Sequence, residues 1–176
     1  MTKPFTSVPV IDIAPFLSGD AADKRTVADT VARACESIGF LYIDGHGFGP
    51  TLIERAAAAA RAFYVLPDDE KCRVEMNQFP NHRGYVGQFH GKPGSRHDFA
   101  RWESFKVGFE TSEDDPEFQA GVRFYGPNAW PSEPADFQPA MEAYYAAMLA
   151  LSRTLFRLFA CALDLHEEHF IPFTGK

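Results

Sequence analysis

The feature that most constrains the fold is a long amphipathic pattern in the C-terminal part of the chain. From about Pro134 to Leu163, apolar residues recur at every third or fourth position, as on one face of an α-helix. The stripe consists of Phe137, Met141, Tyr144, Met148, Leu151, Leu155, Leu158 and Ala162. A helix of about 30 residues is long for a globular protein, so we expect it to run through a domain as a scaffold. A coiled coil is the alternative, but Tyr145, Phe156 and Phe159 widen the apolar face beyond a two-position seam.

The N-terminal part of the chain predicts a compact unit of strands and helices. Residues 8–13 form a short β-rich run, and Asp20 is a candidate N-cap for a helix that ends near Ile38, before Gly39. Residues 40–43 then predict a second strand. The apolar face of the helix between the strands is predicted to consist of Val27, Val31, Cys35 and Ile38.

The middle of the chain predicts two more helices, a long loop and a strand. One helix is expected to begin at Pro50 or Thr51. Another is expected to begin at Pro67, where acidic residues in the first turn suit the helix dipole. Residues 76–101 are rich in Gly, Pro and His and predict a binding loop, within which residues 84–89 could form a short strand. The alternation in residues 103–109 predicts a half-buried strand, and a polar, Pro-rich connection follows.

Charge and cysteine content exclude several classes of protein. The net charge is −7, and an acidic surface repels phosphate backbones, so we expect no nucleic-acid partner. The three cysteines are far apart and odd in number, which indicates neither a disulfide framework nor a zinc site. Residues 1–8 contain no apolar core of a signal sequence, and we expect no stretch that is both long and apolar enough to span a membrane. The expectation is a cytoplasmic protein without a membrane partner.

The loop and the strand after it hold the best candidates for ligand binding. Cations and hydrogen-bond donors lie there among aromatic residues, and a guanidinium can bind a carboxylate through two parallel bonds. The residues concerned are Arg83, Tyr85, Gln88, Arg96, Arg101 and Lys106. On a strand, Ser104, Lys106 and Gly108 would share one face, with Phe105 and Val107 on the other. The alternative is a charged surface loop with a solvated strand face.

Motifs for other chemistries are missing or weak. The chain has no nucleophile elbow, no phosphate-binding loop and no dinucleotide fingerprint. His166 and His169 could approach a metal with Glu168 if the long helix persisted that far, but histidines at a solvated helix end explain the pattern better. His82, His90 and His97 match no known ligand spacing.

Six segments in order resemble the N-terminal region of the isopenicillin N synthase-like family of non-haem iron(II) oxygenases, most of which use 2-oxoglutarate. The resemblance covers nearly the whole chain, although Gly45 stands where the family usually has Asn. The segments are residues 8–13, 34–47 (with Gly45-His46-Gly47), 63–71, Arg83-Gly84-Tyr85, Trp102-Glu103-Ser104-Phe105 and Asn128-Ala129-Trp130-Pro131.

The resemblance implies an α/β (α+β) chain that forms the helix-rich N-terminal part of a double-stranded β-helix, or jelly-roll, oxygenase. The family holds iron with a His-x-Asp pair and a distant His, and binds 2-oxoglutarate with an Arg-x-Ser, all downstream of the long helix. We therefore expect no catalytic residue, no iron ligand and no bound cofactor in this chain, and expect it to be inactive alone. Fe(II) and 2-oxoglutarate would act in the complete enzyme, with the barrel core on the same or a separate chain.

The resemblance also divides the chain and gives the loop a role. Residues 1–131 would be the N-terminal oxygenase region, 132–165 the scaffold helix and 166–176 the lead into the barrel. The loop would wall a pocket for a small-molecule substrate, contacted first by Arg83 and Tyr85 and next by Gln88, Phe89 and Lys106. The alternative function is a stand-alone, non-catalytic helical domain that binds a small acid or a protein partner.

Overall fold

The computed structural model describes residues 7–87 and 102–174. The chain divides into two compact units, one of residues 1–49 and 147–176 and the other of residues 50–146. The predicted division at residues 131 and 165 follows a different criterion, the order of family segments, and stays a prediction.

The first unit contains a parallel strand pair with a helix between the strands. Its elements are β1 (Val10–Asp12), α1 (Ala14–Ser18), α2 (Ala21–Ser37), β2 (Tyr42–Asp44) and the second part of α6 (Phe137–Ala162). The register pairs Val10 with Tyr42 and Ile11 with Ile43. Because side chains alternate along a strand, Ile11 and Ile43 face a hydrophobic cluster, whereas Val10 and Tyr42 are exposed.

Helix α2 begins where the sequence predicts. Asp20 accepts hydrogen bonds from the backbone of Ala22 and Asp23, and the Asp23 side chain accepts one from the Asp20 backbone, which completes a capping box. The predicted apolar stripe is wrong at Cys35, which is exposed. The buried face instead consists of Val27, Ala28, Val31 and Ala34, whose small alanines permit close packing.

The hydrophobic cluster of the second unit packs around Phe63. Its elements are α3 (Pro50–Tyr64), α4 (Asp68–Cys72), β3 (Gly84–Val86), β4 (Ser104–Lys106), α5 (Pro116–Gln119) and the beginning of α6. Phe63, at the end of α3, is fully buried, and its ring lies 4.9 Å from Phe137 and 5.1 Å from Phe105. The strand predicted for residues 103–109 is confirmed but shorter, and the predicted connection contains α5.

Helix α6 confirms the long amphipathic pattern. Phe137 is buried in the cluster of the second unit and Leu158 in that of the first. By length and composition alone, α6 could cross a membrane, so the expectation that no stretch was long and apolar enough was wrong on those two criteria. Core helices of soluble proteins pass the same test, so this is weak evidence for a span.

Candidate functional site

Strand β3, inside the predicted substrate loop of residues 76–101, and strand β4, which follows the loop, form an antiparallel pair. The register sets Gly84 opposite Lys106, Tyr85 opposite Phe105 and Val86 opposite Ser104. Directly opposite residues share a face, and Tyr85 and Phe105 both pack edge-on against Phe63. The prediction that Phe105 and Lys106 lie on opposite faces is therefore confirmed, and Lys106 is exposed.

Tyr85 belongs to a buried polar network. Its hydroxyl donates a 2.5 Å hydrogen bond to Glu103 Oε1, and Lys71 Nζ donates to the same oxygen at 2.7 Å. Lys71 is only 5% exposed, although it also contacts Asp68 Oδ1 at 3.0 Å. The network joins three elements: Lys71 lies in α4, Tyr85 lies in β3 and Glu103 directly precedes β4.

The charges in this network support one another. Burial raises the pKa of Tyr85, the hydrogen bond to Glu103 raises it further, and the result is about 12. For Glu103, burial opposes ionisation, but the hydrogen bonds from Lys71 and Tyr85 outweigh it and lower the pKa. Burial likewise opposes the Lys71 ammonium, yet its bonds to Glu103 and Asp68 raise the pKa above its ordinary value. The network is thus held as a carboxylate, an ammonium and a neutral phenol.

Arg83 lies beside the strand pair, with its guanidinium against Gly108. A Cβ placed on Gly108 would lie 1.9 Å from Arg83 Cζ and 2.0 Å from Nη2. Nη2 donates to the Phe124 carbonyl at 3.2 Å, and Nε is buried without a hydrogen-bond partner. The side chain is half-buried. In the described part of the chain, no acidic residue forms an ion pair with it.

Asn128 fixes the backbone on which Arg83 lies. Gly108 N donates to Asn128 Oδ1 at 2.8 Å, and Asn128 Nδ2 donates to the Gly108 carbonyl at 2.9 Å. The Glu110 carboxylate accepts from the Asn128 backbone, from Asn128 Nδ2 and from Trp130 Nε1. Each of these bonds is between 2.8 and 3.0 Å long, so the segment around Gly108 is held on both sides.

The structure describes only some of the predicted substrate-binding residues. Arg83 directly precedes β3, and Lys106, on β4, pairs with Gly84. Tyr85 faces the core and its hydroxyl is engaged by Glu103. Gln88 and Phe89 lie outside the described residues, as do Arg96 and Arg101. The direct contact of any of the five predicted residues with substrate stays a prediction.

Several residues of this site were not anticipated from the sequence. Lys71 follows three acidic residues in a short helix, a pattern typical of a solvated surface, yet it is buried. Glu103 is the first residue of the alternating segment 103–109, which was a signal that it lies near the core. Gly108 and Asn128 meet through a contact 20 residues apart, which no local pattern reports.

The described residues do not fit an iron site. Within residues 7–87 and 102–174, no three His, Cys, Asp or Glu side chains are grouped as metal ligands. Helix α6 ends at Ala162, and His166 Nδ1 accepts a hydrogen bond from Glu168 N in the turn that follows. His82 packs against Phe124, while His90 and His97 lie outside the described residues.

Comparisons with known proteins identify a family. Residues 8–133 match the model of the N-terminal region of non-haem dioxygenases in morphine synthesis. The chain is 32% identical to the 2-oxoglutarate-Fe(II) type oxidoreductase hxnY of Emericella nidulans, over 96% of this chain and 49% of that protein. It is 34% identical to isopenicillin N synthase of Streptomyces griseus, over 93% of this chain and 49% of that protein.

Solved structures show the same relationship. A full-length Neurospora crassa protein, crystallised in complex with alpha-KG and thymine, superposes with a TM-score of 0.72 at 25% identity, over 93% of this chain and 50% of that chain. Related enzymes thus bind small molecules, and Fe(II) and 2-oxoglutarate serve the complete enzymes. The chain spans about half the length of the curated relatives it matches. It belongs to the isopenicillin N synthase-like family of non-haem iron(II)/2-oxoglutarate oxygenases, as their N-terminal region.

Proposed function

We propose that this chain is the N-terminal portion of a non-haem iron(II), 2-oxoglutarate-dependent dioxygenase that oxidises a small-molecule substrate. The observation that carries the proposal is the family match over residues 8–133, together with relatives about twice as long. Iron ligands and the anchor for 2-oxoglutarate would lie outside the described residues. The chain would contribute the scaffold helix α6 and one wall of the substrate pocket.

Exposed apolar residues in the first unit support the scaffold role. Phe156 and Phe159 are exposed on α6, and Leu163, Leu165 and Phe173 are exposed just after it. A soluble monomer rarely leaves a large apolar surface uncovered. We therefore propose that the jelly-roll part of the enzyme, on the same or a separate chain, packs on these residues.

The pair of strands β3 and β4 supports the pocket-wall role. Arg83 and Lys106 supply positive charge there, and the network of Lys71, Glu103 and Tyr85 holds the strands from the core side. What these side chains would do is bind and orient a substrate. Oxidation itself would be supplied by the iron centre when bound.

The alternative is a stand-alone, non-catalytic helical domain that binds a small acid or a protein partner. It shares the positive charge at Arg83 and Lys106 with the first proposal, but it leaves the exposed apolar residues of α6 unexplained. The family relationship also favours the enzyme.

The test is to determine the coding sequence beyond the Lys176 codon and to assay the encoded protein. We expect the reading frame, or a partner gene, to encode His-x-Asp, a later His and Arg-x-Ser. The purified protein with Fe(II) should convert 2-oxoglutarate to succinate, and replacing the His of His-x-Asp with Ala should abolish this. A stop codon after Lys176 with no partner gene, or no succinate from the complete protein, would overturn the proposal.

A further inference from the structure

We propose that, in the complete enzyme, the segment directly after residue 176 runs along α6 and places an apolar side chain in a cavity beside His46. The cavity lies within the first unit, and we call it the His46 cavity. The inference rests on the proposed function and goes beyond it, because it names a contact site and the segment that fills it.

The His46 cavity accepts an apolar group. Its walls include Ile13 and Leu17 from α1 and its N-cap, His46 and Phe48 from the turn after β2, and Ala150 and Thr154 from α6. Among the described residues, no Asp, Glu, Lys or Arg side chain lines it. Its volume is about 180 Å³, and a cavity of about 150 Å³ admits benzene. One side chain as large as that of leucine or phenylalanine therefore fits.

The histidine wall favours a polypeptide as the occupant. Phe48 N donates to His46 Nδ1 at 3.1 Å, and the two rings stack with their centroids 5.0 Å apart. Because Nδ1 accepts, Nε2 carries the proton of the neutral imidazole. Within the described residues, Nε2 has no hydrogen-bond partner. A polypeptide segment brings backbone carbonyls that can accept from Nε2 as well as an apolar side chain.

The course of the chain after α6 leads toward the His46 cavity. Glu168 binds Arg157 Nε at 2.8 Å, and further along the chain the Thr174 carbonyl accepts from Arg153 Nη2 at 3.2 Å. The contacts thus move back by one turn of α6 as the chain proceeds. Ala150 lies about 4.5 Å beyond Arg153 along the helix axis, which about two extended residues span. A chain that continues in this direction reaches the cavity.

The size of the relatives supplies the segment. They are about twice as long as this chain. Leu17 and Ala150 are exposed at the cavity, so it opens to solvent beside them and is accessible to a further segment. Of the two arrangements proposed for the jelly-roll part, the inference needs the one in which it lies on the same chain.

A substitution that fills the cavity tests whether it is occupied in the complete protein. Ala150→Leu retains a good helix former and adds bulk at the cavity wall. If a side chain occupies the cavity, the added bulk overpacks it, and the melting temperature should fall by roughly 2–6 °C. An empty cavity would accept the added bulk, so an unchanged or raised melting temperature would overturn the inference.

Ala143→Leu is the matched control, because it makes the same change at an exposed position of α6 that does not line the cavity. It should shift the melting temperature by less than about 1 °C. An equal fall in both variants would show that the effect does not come from the cavity, and the inference would fail.

Photo-crosslinking identifies the occupant directly. A diazirine amino acid at position 17 of the complete protein should cross-link to a peptide from the segment just after residue 176, read by mass spectrometry. The same group at Glu36, exposed on α2, should not yield that peptide. Equal yields from both positions, a cross-link to a second copy or to another segment, or no cross-link would each overturn the inference.

Neither measurement depends on catalysis, so the two proposals can fail separately. An active complete enzyme that gives no cross-link from position 17, or a jelly-roll part encoded by a partner gene, would overturn the inference and leave the proposed function standing. A complete protein that gives the cross-link but forms no succinate would overturn the proposed function alone.

Discussion

The hydroxyl of Tyr85 and the carboxylate of Glu103 are joined by a 2.5 Å hydrogen bond across the paired strands β3 and β4. Lys71 donates to the same carboxylate oxygen from α4. One oxygen thus holds three segments that are distant in sequence. Strand β3 lies inside the predicted substrate loop and β4 follows it, so we expect the bond to stabilise both the core and the proposed pocket wall.

Removing the Tyr85 hydroxyl should destabilise the chain. Hydrogen bonds to charged groups contribute about 1.5–3 kcal/mol, so Tyr85→Phe should lower the free energy of unfolding by about that amount, measured by urea denaturation. Tyr42→Phe is the control, because Tyr42 is 64% exposed, and it should change the stability by less than about 0.5 kcal/mol. Equal stability of Tyr85→Phe and the native chain would show that the bond contributes nothing.

Glu103 should make stability depend on pH in the acid range. Burial opposes its ionisation, but the bonds from Lys71 and Tyr85 prevail and the folded pKa is lowered from 4.5. A carboxyl group whose pKa is lower in the folded state than in the unfolded state stabilises the folded protein at pH values above its unfolded pKa. This stabilisation is lost as the pH falls through the folded pKa. Urea denaturation at a series of pH values should therefore show a loss of stability below about pH 4.5.

The variant Glu103→Gln should be less stable than the native chain near neutral pH and should lose less stability on acidification. Glu54→Gln, at an exposed position of α3, should keep the native dependence on pH. If Glu103→Gln loses stability on acidification as steeply as the native chain does, the carboxylate of Glu103 is not the titrating group.

Phe63 should be the most sensitive core position of the second unit. Its ring is fully buried and contacts Tyr64, Tyr85, Phe105 and Phe137. Phe63→Ala should cost about 3–5 kcal/mol through lost burial and a residual cavity, measured by thermal or urea unfolding. Val65→Ala, two residues away and 82% exposed, should change little. A cost below about 1 kcal/mol at Phe63 would mean that the cluster repacks.

The cap of α2 should respond to residue type at Asp20. Asp20→Ala removes the oxygen that accepts from Ala22 N and Asp23 N, and should cost about 1 kcal/mol. Asp20→Ser retains an acceptor and should recover most of that loss. Comparison of the two unfolding curves is the measurement, and a serine variant as unstable as the alanine variant would contradict a capping role.

Elements with strong local signals could be predicted from the sequence. The span of α2 between Asp20 and Gly39 and the long span of α6 follow from a cap, a glycine and a helical period of about 3.6 residues, all of which are local. The stripe on α2 was predicted less well, because Cys35 and Ala34 are neighbours on the helix and only the packing partner decides which of them is buried.

The candidate site could be predicted only in part. The alternation around Phe105 indicates two strand faces, and the triplet Arg83-Gly84-Tyr85 marks the segment that pairs with β4. Tyr85 was predicted to contact substrate, and whether it can depends on which face of β3 packs on the core. Pairing with β4, a strand that is separate along the chain, determines that face.

Family membership, helix spans and strand alternation follow from the order and period of residues, because these patterns are local and repeat along the chain. The tertiary structure alone determines the partner of the Tyr85 hydroxyl, the burial of Lys71 and the contact of the Arg83 guanidinium with Gly108. Each depends on groups far apart in sequence that meet only when the core has packed.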